Sequence, residues 1–209
     1  MYKQKYKIPF IGSENISKSY SQSGQDLFVL SCLAGKKEGT FLDLGCHHPE
    51  YINNTYLLET EFYWKGVSVD IDKKMTDLYT CRKTLAINAD CVTLDFDKIT
   101  KLIGSSHIDY LSLDLEPAKI TLECLKNIPF NLIDFSLITY EHDSYRFGEI
   151  YKNLAFEIMK GNGYQLICED VRIGANKFED WYYNPKYVNY EYIKVFEKDN
   201  IEWDLIIYE

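Results

Sequence analysis

Several features are scarce or missing in this chain of 209 residues, and each excludes a class of protein. The six cysteines are scattered without a CxxC pair, which argues against a zinc site and favours free thiols in a reducing compartment. No block of Lys or Arg stands out and the net charge is -9, so a nucleic-acid partner is disfavoured. No apolar run approaches membrane-spanning length, and the N-terminus lacks the apolar core of a signal peptide. We therefore expect a cytoplasmic location and no membrane span, or a domain cut from a larger polypeptide.

What is present is an alternation of strand-like and helix-like segments in a chain long enough for one well-buried domain. The pattern predicts strands at 40–45, 66–71, 84–89, 108–115, 134–141, 163–171 and 177–183. It predicts helices at 24–34, 53–63, 73–82, 95–103, 117–127 and 146–161, then a helix near 187–198 and a strand-like IEWDLIIY. This alternation indicates a single α/β domain over 1–209. Its sheet should be doubly wound, Rossmann-like and mostly parallel with an antiparallel last strand.

Acidic side chains follow the predicted strands. Sheets of this kind bind ligands at the carboxyl ends of their strands. The first six strands carry, in order, Asp43, Asp70, Asp90, Asp114 with Glu116, Glu141 with His142, and Glu169 with Asp170. A single such acid can be a helix cap, but an acid at every strand end favours a functional rim.

The turn after the first strand, DLGCHHPEYINNT, contains Gly45 but no GxGxxG. The CHH that follows the glycine is too bulky for a phosphate cradle, so a ligand without phosphate fits better. S-adenosylmethionine (SAM) is such a ligand. Gly45 would let the chain approach it closely, Asp70 would accept both ribose hydroxyls, and Asp90 would accept the adenine amino group.

Seven segments occur in the order that one family shows. They are SQSGQDLFVLSCL, TFLDLGCHHPEYINNTYLLE, GVSVDID, IDYLSLDLEPAKITLECLKNI, FSLITYEHD, GYQLICEDV and FEDWYYNP. Over roughly residues 20–186 the chain resembles the FkbM-type SAM-dependent methyltransferases, although Pro117 stands where that family often has Gly. The resemblance implies O-methylation of a sugar or natural product. More loosely, the chain is similar to methyltransferase domains of chlorovirus and giant-virus glycan-building proteins. That similarity implies a glycan acceptor such as a terminal rhamnose, a place within a larger glycosyltransferase polypeptide, and the host cytoplasm.

The resemblance also suggests cofactor contacts. The family pattern makes the segment around Gln22, Gln25 and Asp26 a lid over the methionine end of SAM, whereas read alone it is a polar helix start. Asn53–Thr55 could bind the SAM carboxylate at a helix N-terminus or simply cap that helix. His47 or His48 could touch a ligand or bond only the loop backbone. The expected cofactor-binding residues are Gln25, Asp43, Gly45, His47, Asn54, Asp70 and Asp90.

Methyl transfer to a sugar hydroxyl needs in-line geometry and a base that removes the hydroxyl proton. One arrangement uses His142 as base, with Glu141, Asp114 or Glu116 acting directly or orienting it. In the other, Asp114, Glu141 and His142 hold Mg or Mn, which lowers the pKa of the hydroxyl. The expected catalytic residues are therefore Asp114, Glu116, Glu141 and His142.

Three further questions stay open in the sequence. The aromatic pair Trp181 and Tyr182 could form a stacking wall for a sugar or a packed strand edge. A binding module that has kept the fold without catalysis is an alternative function, against which the row of intact acids argues. A nicotinamide-dependent sugar oxidoreductase would share the fold, but the chain lacks GxGxxG and a convincing Tyr-x-x-x-Lys pair.

Overall fold

The computed structural model describes residues 5–208. Its strands are β1 (Thr40–Leu44), β2 (Lys65–Asp70), β3 (Leu85–Asn88), β4 (His107–Leu113), β5 (Asp134–Glu141), β6 (Gln165–Ile173), β7 (Asn176–Tyr183) and β8 (Lys198–Asp199). Its α-helices are α1 (Gln25–Cys32), α2 (Tyr56–Phe62), α3 (Lys73–Asp77), α4 (Phe96–Ile103), α5 (Ala118–Asn127), α6 (Ser144–Phe147), α7 (Ile150–Gly161), α8 (Tyr190–Ile193) and α9 (Trp203–Ile207). Short 3-10 helices cover Ser13–Asn15, Leu78–Cys81, Cys91–Thr93 and Lys194–Phe196.

The strands form one sheet in the order β3-β2-β1-β4-β5-β7-β6-β8. Strands β1 to β5 pair in parallel, whereas β7 runs antiparallel between β5 and β6. The predicted doubly wound, mostly parallel sheet with an antiparallel last strand is confirmed. The chain reverses direction across the sheet after β3, so the carboxyl ends of β1 and β4 flank the crevice where such folds bind ligands.

Two apolar cores lie on opposite faces of the sheet because successive strand residues point to opposite sides. Phe41 of β1 packs in the core beneath α1 and α2, and its neighbour Leu42 packs in the core beneath α4, α5 and α7. Both faces are covered, which explains why β1 and β4 read as nearly continuous apolar runs. Five of the six cysteines are buried and all six are free thiols.

The tail differs from its prediction. The strand-like IEWDLIIY contains helix α9, and the helix expected near 187–198 is reduced to α8 and one 3-10 turn. Ile206 and Ile207 are both fully buried in the core beneath α1. A short apolar run satisfies helix and strand patterns alike, so periodicity could not distinguish them.

The helix predicted over 146–161 is divided by Gly148, whose φ of 68° ends α6 before α7 begins. Among residues 5–208, no helix has the length and apolar character needed to cross a membrane.

Candidate functional site

A cavity of about 660 Å³ opens at the carboxyl ends of β1, β2, β4 and β5. Its volume lies within the range of pockets that hold small molecules and cofactors. The cavity is lined by Gln22, Asp43, Gly45, Cys46, His47, Tyr51, Ile52, Asn54, Asp70, Ile71, Asp90, Cys91, Val92, Asp114, Leu115, Glu116, Ile120, Glu123, Glu141 and Tyr145. Nine of the expected site residues are in this set: Asp43, Gly45, His47, Asn54, Asp70, Asp90, Asp114, Glu116 and Glu141.

Gly45 lies in the turn that follows β1, and it lines the cavity. Its φ is +88°, and a Cβ added there would lie 1.7 Å from the carbonyl oxygen of Asp114. Its amide donates to the Val69 carbonyl at 2.9 Å, which ties the turn to β2. The close approach at Gly45 is therefore between two backbone segments of the protein, in addition to the ligand approach that the sequence suggested.

Asp70 and Asp90 line the same side of the cavity, at the ends of β2 and β3. The Asp70 carboxylate accepts from the amides of His47 and Asp72, both at 2.8 Å, and these bonds fix its orientation. Asp90 accepts from the Val92 amide at 2.9 Å and so caps a 3-10 turn. A carboxylate has about four acceptor positions, so both acids keep capacity to accept from a ligand.

Deeper in the cavity, Asp43 and Asn54 are buried. Asp43 accepts from the Thr55 hydroxyl at 3.1 Å, and burial raises the pKa of its carboxyl to about 6. The Asn54 amide donates to the Ser112 hydroxyl at 3.0 Å. These contacts attach the segment before α2 to β1 and β4, and α2 itself begins at Tyr56, not at residue 53.

Asp114 and Glu141, at the ends of the neighbouring strands β4 and β5, both line the cavity, and each carboxyl group perturbs the ionisation of the other. Burial, followed by the neighbouring Asp114 charge, raises the pKa of Glu141 far above its ordinary value. Burial also raises the pKa of Asp114. Neighbouring carboxyl groups that are withdrawn from water resist ionising together, so we expect the pair to retain one proton.

Glu116 lies at the cavity mouth, where its side chain is 61% exposed. Both of its carboxylate oxygens accept from the Arg146 guanidinium at 3.0 Å, and Arg146 also donates to Asp143 at 2.9 Å. Glu116 therefore belongs to an ion-pair group at the entrance, separate from the buried pair.

His142 and Gln25 are not brought to the cavity. His142 is fully buried, with Nε2 3.3 Å from the Asp180 carboxylate, while Nδ1 accepts from the Ser144 amide at 3.1 Å. It follows Glu141 directly and so points to the opposite face of the sheet. The buried Gln25 amide donates to Glu179 at 2.9 Å. Neither side chain lines the cavity, so the expected roles of His142 as base and Gln25 as cofactor contact lack a geometric basis.

The three expected metal ligands are also not brought together. Asp114 and Glu141 face one side of the sheet and His142 the other. In the described part of the chain, the group of possible ligands consists of His142, Asp170 and Asp180, whose ligand atoms lie within 4.8 Å of one another. The Asp170 carboxylate already binds the ammonium groups of Lys152 at 2.6 Å and Lys177 at 2.9 Å. The residues at the cavity therefore do not fit the Mg or Mn site that the sequence suggested.

The segment before α1 contributes one side chain to the cavity. Gln22 lines it, whereas Asp26 is buried and accepts from the Ser19 hydroxyl at 2.6 Å and the Tyr20 amide at 2.8 Å. Asp26 thus shapes this segment without facing the cavity. On the other side, the Asn53 amide donates to the Cys46 carbonyl at 3.2 Å, so it holds the turn after β1.

Of the two interpretations of Trp181 and Tyr182, the structure supports the packed strand and not the sugar-stacking wall. Both side chains are buried, and Trp181 packs against Phe28 with ring centroids 4.3 Å apart. They belong to opposite cores because they are neighbours on β7. The aromatic residues that do face the cavity are Tyr51 and Tyr145, which are 68% and 46% exposed.

Glu179 is a residue that sequence reasoning missed. It lies on β7 directly opposite Glu141 and is 1% exposed. It accepts from the Trp181 indole at 2.6 Å and from Gln25, and burial raises its pKa to about 8. The sequence carries one signal for it: Glu179 stands among aromatic residues in the predicted strand at 177–183. An acid buried in such a strand needs a partner or a function.

This buried acid makes stability depend on pH. Because the folded pKa of Glu179 is about 8 against an ordinary 4.5, the folded protein keeps a proton that the unfolded chain releases. Its contribution is complete below the unfolded pKa and is lost as the pH rises towards 8. We expect the free energy of unfolding of Glu179→Gln, relative to the unsubstituted protein, to rise by about 3–5 kcal/mol between pH 4.5 and 8.

Urea unfolding across that pH range measures the difference. Glu61→Gln, on the exposed face of α2, is the control and should give a flat difference. A flat difference for Glu179→Gln as well would show that folding does not raise the pKa of Glu179.

Comparisons with known proteins agree on the fold. No family model matches the chain, and no curated protein matches it significantly. Among solved structures, the chain is similar to an rRNA-methylase candidate from Clostridium thermocellum, with 16% identity, a TM-score of 0.53, and coverage of 79% of this chain and 97% of that one. It is similar to the METTL16 methyltransferase domain, with 11% identity, a TM-score of 0.51, and coverage of 76% and 79%.

A third similar structure is a DNA modification methyltransferase candidate from a prophage of E. coli. The identity is 12% and the TM-score 0.50, and the chain covers 51% of that protein with 78% of its own length. The chain thus spans about half of that relative. At such identities the likeness concerns the fold alone. The protein has the Rossmann-like fold of the SAM-dependent methyltransferases.

Proposed function

We propose that this protein is a SAM-dependent O-methyltransferase that acts on a hydroxyl of an uncharged carbohydrate. The observation that carries the proposal is one cavity with a fixed carboxylate, Asp70, at the end of β2 and a proton-sharing pair, Asp114 and Glu141, at the ends of β4 and β5. Asp70 is suited to accept hydrogen bonds from a ribose. The Asp114–Glu141 pair is suited to take the proton of an acceptor hydroxyl. The resemblance to FkbM-type enzymes supports the carbohydrate acceptor.

The residues present fit SAM. Asp70 offers acceptor positions to the two ribose hydroxyls, and Asp90 offers them to the adenine amino group. Between them, Ile71, Val92 and Leu115 provide apolar contacts for the flat adenine ring. When bound, SAM supplies an electrophilic methyl group on a sulfonium.

The reaction also requires removal of a proton from the acceptor. An ordinary hydroxyl is a weak nucleophile at neutral pH, so a base must take its proton as the new bond forms. We assign that role to the ionised member of the Asp114–Glu141 pair. Burial and the neighbouring Asp114 charge raise the pKa of Glu141 far above its ordinary value, so Glu141 keeps its proton and Asp114 is the member available as base.

The charge of the cavity favours an uncharged acceptor. Seven lining side chains are acidic: Asp43, Asp70, Asp90, Asp114, Glu116, Glu123 and Glu141. Within residues 5–208, no Lys or Arg lines the cavity. A phosphate backbone would be repelled, which disfavours nucleic acids as substrates of this chain. Tyr51 and Tyr145 at the mouth offer exposed rings against which the apolar face of a sugar can pack.

Methyl transfer from labelled SAM to a panel of uncharged glycosides, including a methyl rhamnoside, tests the proposal. We expect at least one acceptor to gain the mass of one CH₂ group, with equal formation of S-adenosylhomocysteine. Transfer to RNA or DNA but to no glycoside would contradict the acceptor class. Binding of SAM without transfer to any acceptor would favour the binding module.

Asp70 tests the cofactor part of the proposal. We expect Asp70→Asn to weaken SAM binding about 10- to 100-fold, because charge-assisted hydrogen bonds to the ribose would be lost. Calorimetric titration measures the change. Asp72→Asn is the matched control, because Asp72 caps α3 by accepting from the Lys74 amide and Asn caps equally well. Unchanged SAM affinity in Asp70→Asn would contradict the assignment.

A further inference from the structure

The ionisable groups of the cavity are distributed unevenly between its two ends. At the β2 and β3 end, the acids Asp70 and Asp90 are fixed by backbone amides. At the β4 and β5 end, the half-buried Asp114 and the buried Glu141 are joined by a third, buried acid, Glu179, directly opposite Glu141 on β7. The second end therefore concentrates three carboxyl groups.

Within the described residues no Lys or Arg lines the cavity, and the basic side chain that does, His47, is exposed at the turn after β1. Arg146, at the mouth, is held by Glu116 and Asp143 at 3.0 and 2.9 Å. Arg82, behind Asp43, is buried and bonded to Glu59 at 3.0 Å. Both guanidinium groups already have carboxylate partners, so the Asp114–Glu141 end keeps an unbalanced negative charge.

The cavity gives the direction in which SAM would lie under the proposed function. With its adenosine beside Asp70, at the end of β2, its methionine part would extend past β1 towards β4 and β5. That direction leads to the carboxyl groups of Asp114 and Glu141. The sulfonium lies in the methionine part, between the ribose and the amino acid group.

We infer that the Asp114–Glu141 end of the cavity is a charge-selective subsite that makes the protein bind SAM more tightly than the product S-adenosylhomocysteine. The inference rests on the proposed function. SAM and the product share the adenosine, the amino group and the carboxylate, and differ only in the methylated, positively charged sulfur. A carboxylate near that sulfur therefore contributes to binding of SAM and contributes little to binding of the product.

The consequence concerns turnover. Loss of the methyl group removes the positive charge that the subsite attracts, so the product should be held about tenfold less tightly than SAM. The methylated acceptor then leaves a cavity that holds S-adenosylhomocysteine less tightly than it held SAM.

The experiment is calorimetric titration of the unsubstituted protein with three ligands: SAM, S-adenosylhomocysteine, and sinefungin, which carries an ammonium group in place of the methylsulfonium. We expect SAM and sinefungin to bind about tenfold more tightly than S-adenosylhomocysteine. A tenfold ratio corresponds to about 1.4 kcal/mol, which opposite charges at short range in a protein readily supply.

Two variants make the test specific. Asp114→Asn should reduce the ratio of the two dissociation constants towards one, because it removes the charge and preserves the shape of the side chain. Asp90→Asn is the matched control: it should change both affinities by the same factor and leave the ratio unaltered, since adenine is common to both ligands. Sinefungin distinguishes attraction by charge from a contact with the methyl group.

Equal binding of SAM and S-adenosylhomocysteine by the unsubstituted protein would overturn this inference and leave the proposed function intact. Sinefungin binding as weakly as S-adenosylhomocysteine would also overturn it, because the preference would then come from the methyl group. Absence of binding by all three ligands would overturn the proposed function, and this inference with it.

Discussion

Replacing Gly45 with Ala should cost the protein several kcal/mol of stability. The new Cβ would lie 1.7 Å from the Asp114 carbonyl oxygen, which is a backbone atom and cannot rotate away. A φ of +88° adds roughly 1–2 kcal/mol for any residue with a Cβ. We expect a total loss of at least about 3 kcal/mol in the free energy of unfolding, measured by urea denaturation.

Gly104→Ala separates the effect of the steric contact from the effect of the positive φ. Gly104 has a similar φ of +84° at the end of α4, but a Cβ there would meet nothing within 4 Å. It should therefore lose only the backbone contribution, about 1 kcal/mol. Equal losses in the two variants would contradict the close approach of the β1 turn to the end of β4, on which the shape of the cavity depends.

The second large effect concerns catalysis. Asp114→Asn should lower the rate of methyl transfer at saturating SAM and acceptor by roughly 100- to 10,000-fold, the range that a positioned base contributes. The amide keeps the size of the carboxyl but cannot take a proton from the acceptor. The measurement is kcat with an acceptor found in the glycoside panel, together with separately determined SAM affinity so that a binding loss is not mistaken for a chemical one.

Glu123→Gln is the matched control for this effect. Glu123 also lines the cavity, but it lies on α5, where its partner is Lys119 at 3.6 Å. An exposed ion pair of this kind contributes little, so its kcat should stay within about twofold of the unsubstituted enzyme. A kcat for Asp114→Asn within the same range would show that another group takes the proton.

The sheet and the position of the cavity could be predicted because their signals are local. Apolar runs such as TFLDL mark the strands, and an acid at the end of a parallel strand necessarily lies at the ligand-binding edge. Asp70, Asp114 and Glu141 therefore line the cavity together although 71 positions separate the first from the last. Neither inference needed information about side-chain packing.

The roles of individual residues at the site were harder to predict because they depend on which face each residue occupies. Glu141 and His142 are neighbours in the chain, yet one lines the cavity and the other is buried beside Asp180. A shift of one position along a strand reverses the face, and the end of the strand was known only approximately. The metal site expected at Asp114, Glu141 and His142 failed for this reason.

Long-range pairing accounts for the other missed residue. Glu179 is significant because β7 runs antiparallel beside β5, which places it opposite Glu141. The register of two strands 38 residues apart cannot be obtained from the pattern within either strand. The same holds for Gln25, whose amide reaches Glu179 across 154 positions of sequence.

On the proposed function, the cavity binds SAM and excludes dinucleotides. Calorimetric titration of the purified protein with SAM and, separately, with NADH distinguishes the two ligands. The seven carboxyl groups that line the cavity and the single glycine of its first turn predict micromolar SAM binding and no measurable NADH binding. Binding of NADH without binding of SAM would contradict the account, because a pyrophosphate would then occupy the space assigned to a cationic, phosphate-free cofactor.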